Sequence, residues 1–179
     1  MKKLILLLII FPLLSFQDVK YVKVKFTEEI SGKLPASFIP MTTGDILRRL
    51  PSARAPLAAY TDEARVIDFS INVAAARWME KDLVIAKDFY KSSIYNLYDE
   101  LNLLKEEMVE IDGRQFAVFE FESLVKGDGV SKKSIRKYSY IQYTIDEGRT
   151  LVFGFNAPIQ LKDKWQGRAA EIMNSVKIK

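Results

Sequence analysis

Apolar and polar residues alternate through residues 103–111 and again through 115–124, with Asp112-Gly113 between the two runs. Alternation at period two is the pattern of a half-buried strand. Asp-Gly between such runs predicts a hairpin, because glycine takes a positive φ without a Cβ clash. Two loop lengths fit. A two-residue loop sets Ile111 opposite Arg114, and a three-residue loop sets Ile111 opposite Gln115 and Val109 opposite Ala117. The second register gathers Leu103, Val109, Ile111, Ala117, Phe119 and Phe121 on one face and sends Glu106, Glu110, Glu120 and Glu122 to the other. A slip of one residue exchanges the faces, so burial of one apolar face favours the three-residue loop.

The same reasoning places the other elements. Val22, Val24 and Phe26 alternate with Lys23 and Lys25, predicting a first strand decorated with lysine as edge strands often are. Gly32 predicts a turn. Residues 34–41 carry two prolines, which suit a short extended piece rather than a helix or a central strand. Thr43 is expected to cap a short helix ending near Leu50, before Pro51. Residues 57–61 allow a short strand. In residues 66–73, Ile67, Phe69, Ile71 and Val73 point one way and Asp68, Ser70 and Asn72 the other, as in a sheet with one buried and one polar face.

Asp82 predicts the N-cap of a long helix to about Leu101, with Ala86, Tyr90, Ile94, Leu97, Tyr98 and Leu101 as its apolar stripe. A loop is expected over 125–134. Strands follow over 136–145 and 150–156, turned at Asp146-Glu147-Gly148-Arg149. A last helix over about 161–175 presents Leu161, Trp165, Ala169, Ile172 and Val176 on one side. Strands joined as hairpins, with helices between some of them, predict an α+β fold: a mostly antiparallel sheet packed between helices.

Composition narrows the chemistry. The 179 residues include no His and no Cys. Ser-His-Asp triads, cysteine nucleophiles, disulfides, the usual zinc sites and His- or Cys-ligated haem are therefore excluded. A lipid-anchored cysteine is excluded with them. Any metal would be a hard cation on carboxylates; no cofactor is expected.

Met1-Lys2-Lys3 precedes an apolar run over residues 4–14, broken only by Pro12 and followed by Ser15-Phe16-Gln17-Asp18. That layout predicts a signal peptide over residues 1–17, cleaved near Gln17, and a single domain over 18–179. The apolar run is short for a bilayer span. The formal charge of +4 includes Lys2 and Lys3, so the processed chain carries +2. That is too little to imply nucleic acid or an acidic membrane surface as partner.

The layout resembles the Mog1/PsbP-like family, and within it the small exported bacterial proteins related to DcrB. The resembling features are the early strand followed by Leu34-Pro35-Ala36-Ser37-Phe38, the strand over 67–73, the helix over 82–101 and the Asp112-Gly113 hairpin. The strand pair over 138–145 and 151–155 and the closing Trp165 helix complete the set. The resemblance implies a Mog1/PsbP-like α/β/α sandwich. It also implies an accessory or binding role, since members include photosystem assembly factors and a partner of a nuclear-transport GTPase. It carries no catalytic signature.

Five residue groups are candidates for chemistry. Glu106, Glu110, Glu120 and Glu122 are paired carboxylates of the kind that serve acid–base work or bind a cation; a solvated sheet face is the plainer reading. Lys132, Lys133, Arg136 and Lys137 form a basic cluster suited to docking an anionic partner, or simply a solvated hairpin tip. Gly127-Asp128-Gly129 lacks the spacing of a calcium or phosphate loop and reads as a turn. Tyr90, Tyr95, Tyr98, Tyr138, Tyr140 and Tyr143 could line a cleft, but Tyr138 and Tyr140 share a strand face that Tyr143 does not. Asp68, Ser70 and Asn72 are the remaining polar row, where a polar pocket could sit, with an exposed sheet face as the plainer reading.

Together these readings predict an exported, non-enzymatic protein of a bacterial periplasm or exterior. It would bind an envelope or extracellular protein through a sheet face or the loop over 125–134. The alternative is a carrier or sensor of a small apolar ligand held between the long helix and the sheet, which requires an enclosed cavity of about 300 Å³ or more. Hydrolase chemistry on the carboxylates ranks last.

Overall fold

In the computed structural model, which describes residues 19–50, 54–127, 129–130 and 133–179, ten strands and three α-helices follow one another along the chain. The predicted signal segment and its cleavage site lie outside the described residues, as do Asp128 and Lys132. The strands are β1 (Tyr21–Lys25), β2 (Ile30–Pro35), β3 (Phe38–Pro40), β4 (Ala58–Asp62), β5 (Asp68–Val73), β6 (Glu100–Ile111), β7 (Arg114–Val125), β8 (Ile135–Asp146), β9 (Arg149–Pro158) and β10 (Lys177–Ile178). The helices are α1 (Thr43–Arg49), α2 (Leu83–Leu97) and α3 (Lys162–Asn174). Seven strands form one sheet in the order β3-β4-β5-β9-β8-β7-β6, and β1-β2-β10 form a second. Every recorded strand pair is antiparallel.

The long sheet is covered on both sides. Trp165, Ala169, Ile172 and Met173 of α3 pack with Phe69, Phe116, Tyr138 and Phe155 on one face, where Phe26, Ile30 and Leu34 of the small sheet's hairpin also join the core. Leu83, Ala86, Tyr90 and Ile94 of α2 pack with Ala117, Phe119, Phe121 and Tyr143 on the other. Helices on both faces of an antiparallel sheet make the α+β sandwich that the alternation and stripes predict.

The β6–β7 register departs from the expectation. Ile111 stands opposite Arg114 and Val109 opposite Phe116, so the loop has two residues. Asp112 and Gly113 both have positive φ, 53° and 79°, as the primed hairpin turn requires. The one-apolar-face argument fails because β7 is buried on both faces: Phe116 and Val118 face α3 while Ala117, Phe119 and Phe121 face α2. A bulge between Leu103 and Lys105 adds one residue and reverses the side-chain alternation. Leu103 therefore faces α2 while Val109 joins the α3 core.

Three smaller corrections follow from packing. Gly32 lies inside β2 rather than in a turn; a Cβ there would meet the Phe26 ring at 2.9 Å, so only glycine lets that ring close over the strand. Thr42, not Thr43, caps α1: its Oγ1 accepts from Asp45 N at 3.2 Å and its own N–H donates to Asp45 Oδ2 at 3.2 Å, a capping box. Finally, α2 stops at Leu97, which is exposed, and Leu101 belongs to β6. Asp82 stands at the helix start, but its carboxylate accepts from Met79 N rather than from α2.

Candidate functional site

The capping box sets where α1 begins, and so where its last turn delivers Arg48 and Arg49. Arg48 stays at the surface with its Nη2 3.2 Å from Asp45 Oδ1. Asp45 also pairs with Arg65. The Thr42 hydroxyl first, and Arg65 in addition, holds the Asp45 carboxyl well below the usual range. Arg49 turns inward over the sheet. Its Nη1 donates to Thr61 Oγ1 at 3.0 Å, and its Nη2 lies 2.6 Å from Asp68 Oδ1. Among the described residues Arg49 is the one charged partner of Asp68 Oδ1.

Asp68 is held in place from behind. The Asp62 carboxylate accepts from the backbone N–H groups of Val66 and Ile67, both at 2.8 Å, which shapes the β4–β5 turn. Asp68 then pairs across the strands with Asn156, and Asn156 with Ser139, making one polar rung over β5, β9 and β8. The Ser139 hydroxyl donates to Asn156 Oδ1 at 2.8 Å. The sequence reading left Asp68, Ser70 and Asn72 as an exposed face by default, or else as the place of a polar pocket. Instead the Asp68 side chain is 4% exposed and Ser70 is buried. Burial raises the Asp68 carboxyl to about 6, against the lowering pull of Arg49 and Lys137.

A cavity of about 320 Å³ opens at this rung, and Arg48, Arg49, Asp68, Arg136, Lys137 and Asn156 supply its polar lining. Val66, Ile135 and Pro158 give it apolar walls. Part of the predicted basic cluster thus meets the predicted polar row. Arg136 is exposed, with Glu100 Oε2 at 3.8 Å; Lys137, half-buried, makes no ion pair among the described residues. Lys133 is exposed in the preceding loop. Sequence reasoning missed Arg48, Arg49 and Asn156. The Arg48-Arg49 pair was visible, but it reads as ordinary basic decoration of a helix C-terminus.

The other candidates do not converge. Glu106 joins Lys87 and Lys91 of α2, each at 2.6 Å, and these lysines hold its carboxyl low. Glu110 accepts from Gln115, and Glu122 pairs with Lys162 of α3 at 2.5 Å. Glu120 is buried against α3. The four glutamates therefore divide between the two sheet faces, and the solvated-face expectation fails for Glu120. The tyrosines divide too. Tyr90 stacks on Tyr143, ring centroids 4.2 Å apart and 9° from parallel, and Tyr98 meets Phe121 on the same side. Tyr138 and Tyr140 face α3, and Tyr95 is exposed.

Among the described residues no group of three or more Asp or Glu could hold a metal ion. No described helix is long and apolar enough to cross a membrane.

No protein-family model matches the sequence, and no curated protein matches it. Solved structures do resemble it. Cyanobacterial PsbP (CyanoP) from Synechocystis sp. PCC 6803 superposes with a TM-score of 0.62 at 10% identity, over 92% of this chain and 96% of that one. The Ran-binding protein Mog1p of Saccharomyces cerevisiae gives 0.58 at 12% identity, over 90% and 96%. LpqN of Mycobacterium tuberculosis, involved in cell envelope biogenesis, gives 0.54 at 12% identity, over 90% and 91%. With its seven-stranded antiparallel sheet between α2 and α3, this chain has the Mog1/PsbP-like α+β fold.

Proposed function

We propose that the processed chain, residues 18–179 as one domain, is an exported, non-catalytic accessory protein that binds an acidic protein partner in the cell envelope. The contact surface is the cationic lip formed by Lys133, Arg136 and Lys137, extended by Arg48. The observation that carries this reading is Lys137, a cation at the lip of an open cavity with no carboxylate within ion-pair distance among the described residues. Lys132 adjoins the lip in sequence and belongs to the same proposal. The basic leader pattern of residues 1–17 supports export, and the resemblance to exported DcrB-related proteins agrees with it. The fold shared with a Ran-binding protein and with a cell-envelope biogenesis protein supports a binding role. The Tyr90–Tyr143 stack fills the place between α2 and the sheet where the alternative apolar ligand would sit, which favours the partner reading.

The test is capture from an envelope fraction by the processed chain and by an Arg136→Glu/Lys137→Glu variant. The expected result is a partner released by high salt and not captured by the variant, because exposed charge contacts are screened. Capture insensitive to both would remove the lip from the contact.

A further inference from the structure

The cavity beside the lip is not a plain anion trap. A site that only collects negative charge has no use for a carboxylate in its wall, yet Asp68 lines this one with its side chain 4% exposed. Among the described residues Asp68 Oδ1 is met only by Arg49, 2.6 Å away, and a buried carboxylate with one such partner keeps further acceptor capacity. The cations around it are unequally committed. Arg49 is engaged by Asp68 and Thr61, and Arg48 is drawn to Asp45. Lys137 makes no ion pair among the described residues, though its charge reaches Asp68, while Arg136 lies 3.8 Å from Glu100 and also acts on Glu122. Asn156 accepts from Ser139 through Oδ1, which leaves its NH₂ as a donor next to Asp68.

We propose that this cavity binds a small organic acid that also carries a hydroxyl or amino group, the acid held by Lys137 and the O–H or N–H donating to Asp68. The ligand's carbon skeleton lies against Val66, Ile135 and Pro158. The volume of about 320 Å³ stands at the lower end of small-molecule sites, which suits a molecule the size of a monosaccharide or an amino acid. Near neutral pH an Asp68 carboxyl raised to about 6 is still mostly ionised, so it acts as an acceptor. Carboxylate and phosphate meet the cationic requirement equally, and the probes separate them. This inference goes beyond the partner reading and does not rest on it.

The experiment is calorimetric titration of the processed chain with glucuronate, glucose 6-phosphate, glucose and inorganic phosphate. At least one of the two sugar acids is expected to bind about tenfold or more tightly than either glucose or inorganic phosphate, as one charge-assisted hydrogen bond permits. Asp68→Asn is expected to erase that advantage, and Lys137→Met to weaken sugar-acid binding while the protein keeps its melting transition. Inorganic phosphate binding as tightly as the sugar acids, Asp68→Asn strengthening all anions alike, or no probe binding at millimolar concentration would each overturn the proposal. Partner capture is read separately: the lip reading fails if Arg136→Glu/Lys137→Glu leaves capture intact, whatever the probes do.

Discussion

Gln166 on α3 donates to Glu120 on β7 across 2.5 Å, and the Tyr138 hydroxyl donates to the same oxygen at 3.1 Å. A carboxylate in the middle of a central strand is thereby fixed between the sheet and its covering helix. Replacing it with Leu strands both donors, each buried unpartnered donor costing about 1 to 3 kcal/mol. Glu120→Leu is expected to lower unfolding stability by about 2 to 4 kcal/mol, and Glu120→Gln by less, because an acceptor oxygen remains. Urea denaturation of the two variants measures the difference; equal costs would remove the polar link from the α3 interface.

The Tyr90–Tyr143 stack makes a sharper pair of expectations. Tyr90 is buried, and its hydroxyl has no hydrogen-bond partner among the described residues. Tyr90→Ala opens a cavity under α2 and is expected to cost about 3 to 5 kcal/mol. Tyr90→Phe keeps the ring, removes an unpaired polar group, and is expected to leave stability unchanged or raised. A clear loss in the Phe variant, measured by denaturant midpoint, would mean that the hydroxyl has a partner.

Asp68 gives stability a pH dependence of unusual sign. Its folded pKa of about 6 lies above the ordinary value of 3.8, so between those limits the folded state binds more protons than the unfolded one. Its contribution is most favourable at low pH and is lost as pH rises from about 4 through 6. The groups facing it are Arg49 from α1, Lys137 from β8 and Asp62 from β4. Asp45, with its lowered carboxyl, works in the opposite sense and loses its contribution as pH falls through the carboxylate range. Thermal unfolding between pH 4 and pH 7 is expected to show wild type losing stability relative to Asp68→Asn, by roughly 1 to 3 kcal/mol at about 1.4 kcal/mol per unit. Parallel curves for the two proteins would contradict the raised carboxyl.

The β6–β7 turn separates the two hairpin geometries. With both central residues at positive φ, Asp112→Val is expected to cost about 1 to 2 kcal/mol and Gly113→Ala a similar amount. Asp112→Asn, which keeps a left-handed-tolerant side chain, should stay within about 0.5 kcal/mol of wild type. A three-residue loop would leave Asp112 in an ordinary conformation and make Asp112→Val nearly silent. Chemical denaturation reads all three.

The elements themselves were legible because their patterns are local. The β8–β9 hairpin, the α3 stripe of Trp165, Ala169 and Ile172, and the opposite facing of Tyr138 and Tyr143 all follow from side-chain period and turn chemistry. The candidate site was legible only in halves, Asp68 as part of a polar row and Arg136-Lys137 as part of a charge run, with nothing in the sequence to join them. Residues 68, 137 and 156 come from three strands, and Arg49 from a helix that one capping box orients.

Residue order by itself therefore determined which segments pair as hairpins, which side of α3 is greasy, and which chemistries a chain without His or Cys cannot perform. Tertiary structure alone decided the β6–β7 register, the burial of Glu120 and the assembly of an open cavity beside Asp68. The physical reason is that period-two patterning reveals a strand's faces only when one of them meets water. With α2 and α3 covering opposite sides of β7, apolar residues on both faces are satisfied, and the turn and the bulge are left to choose the register.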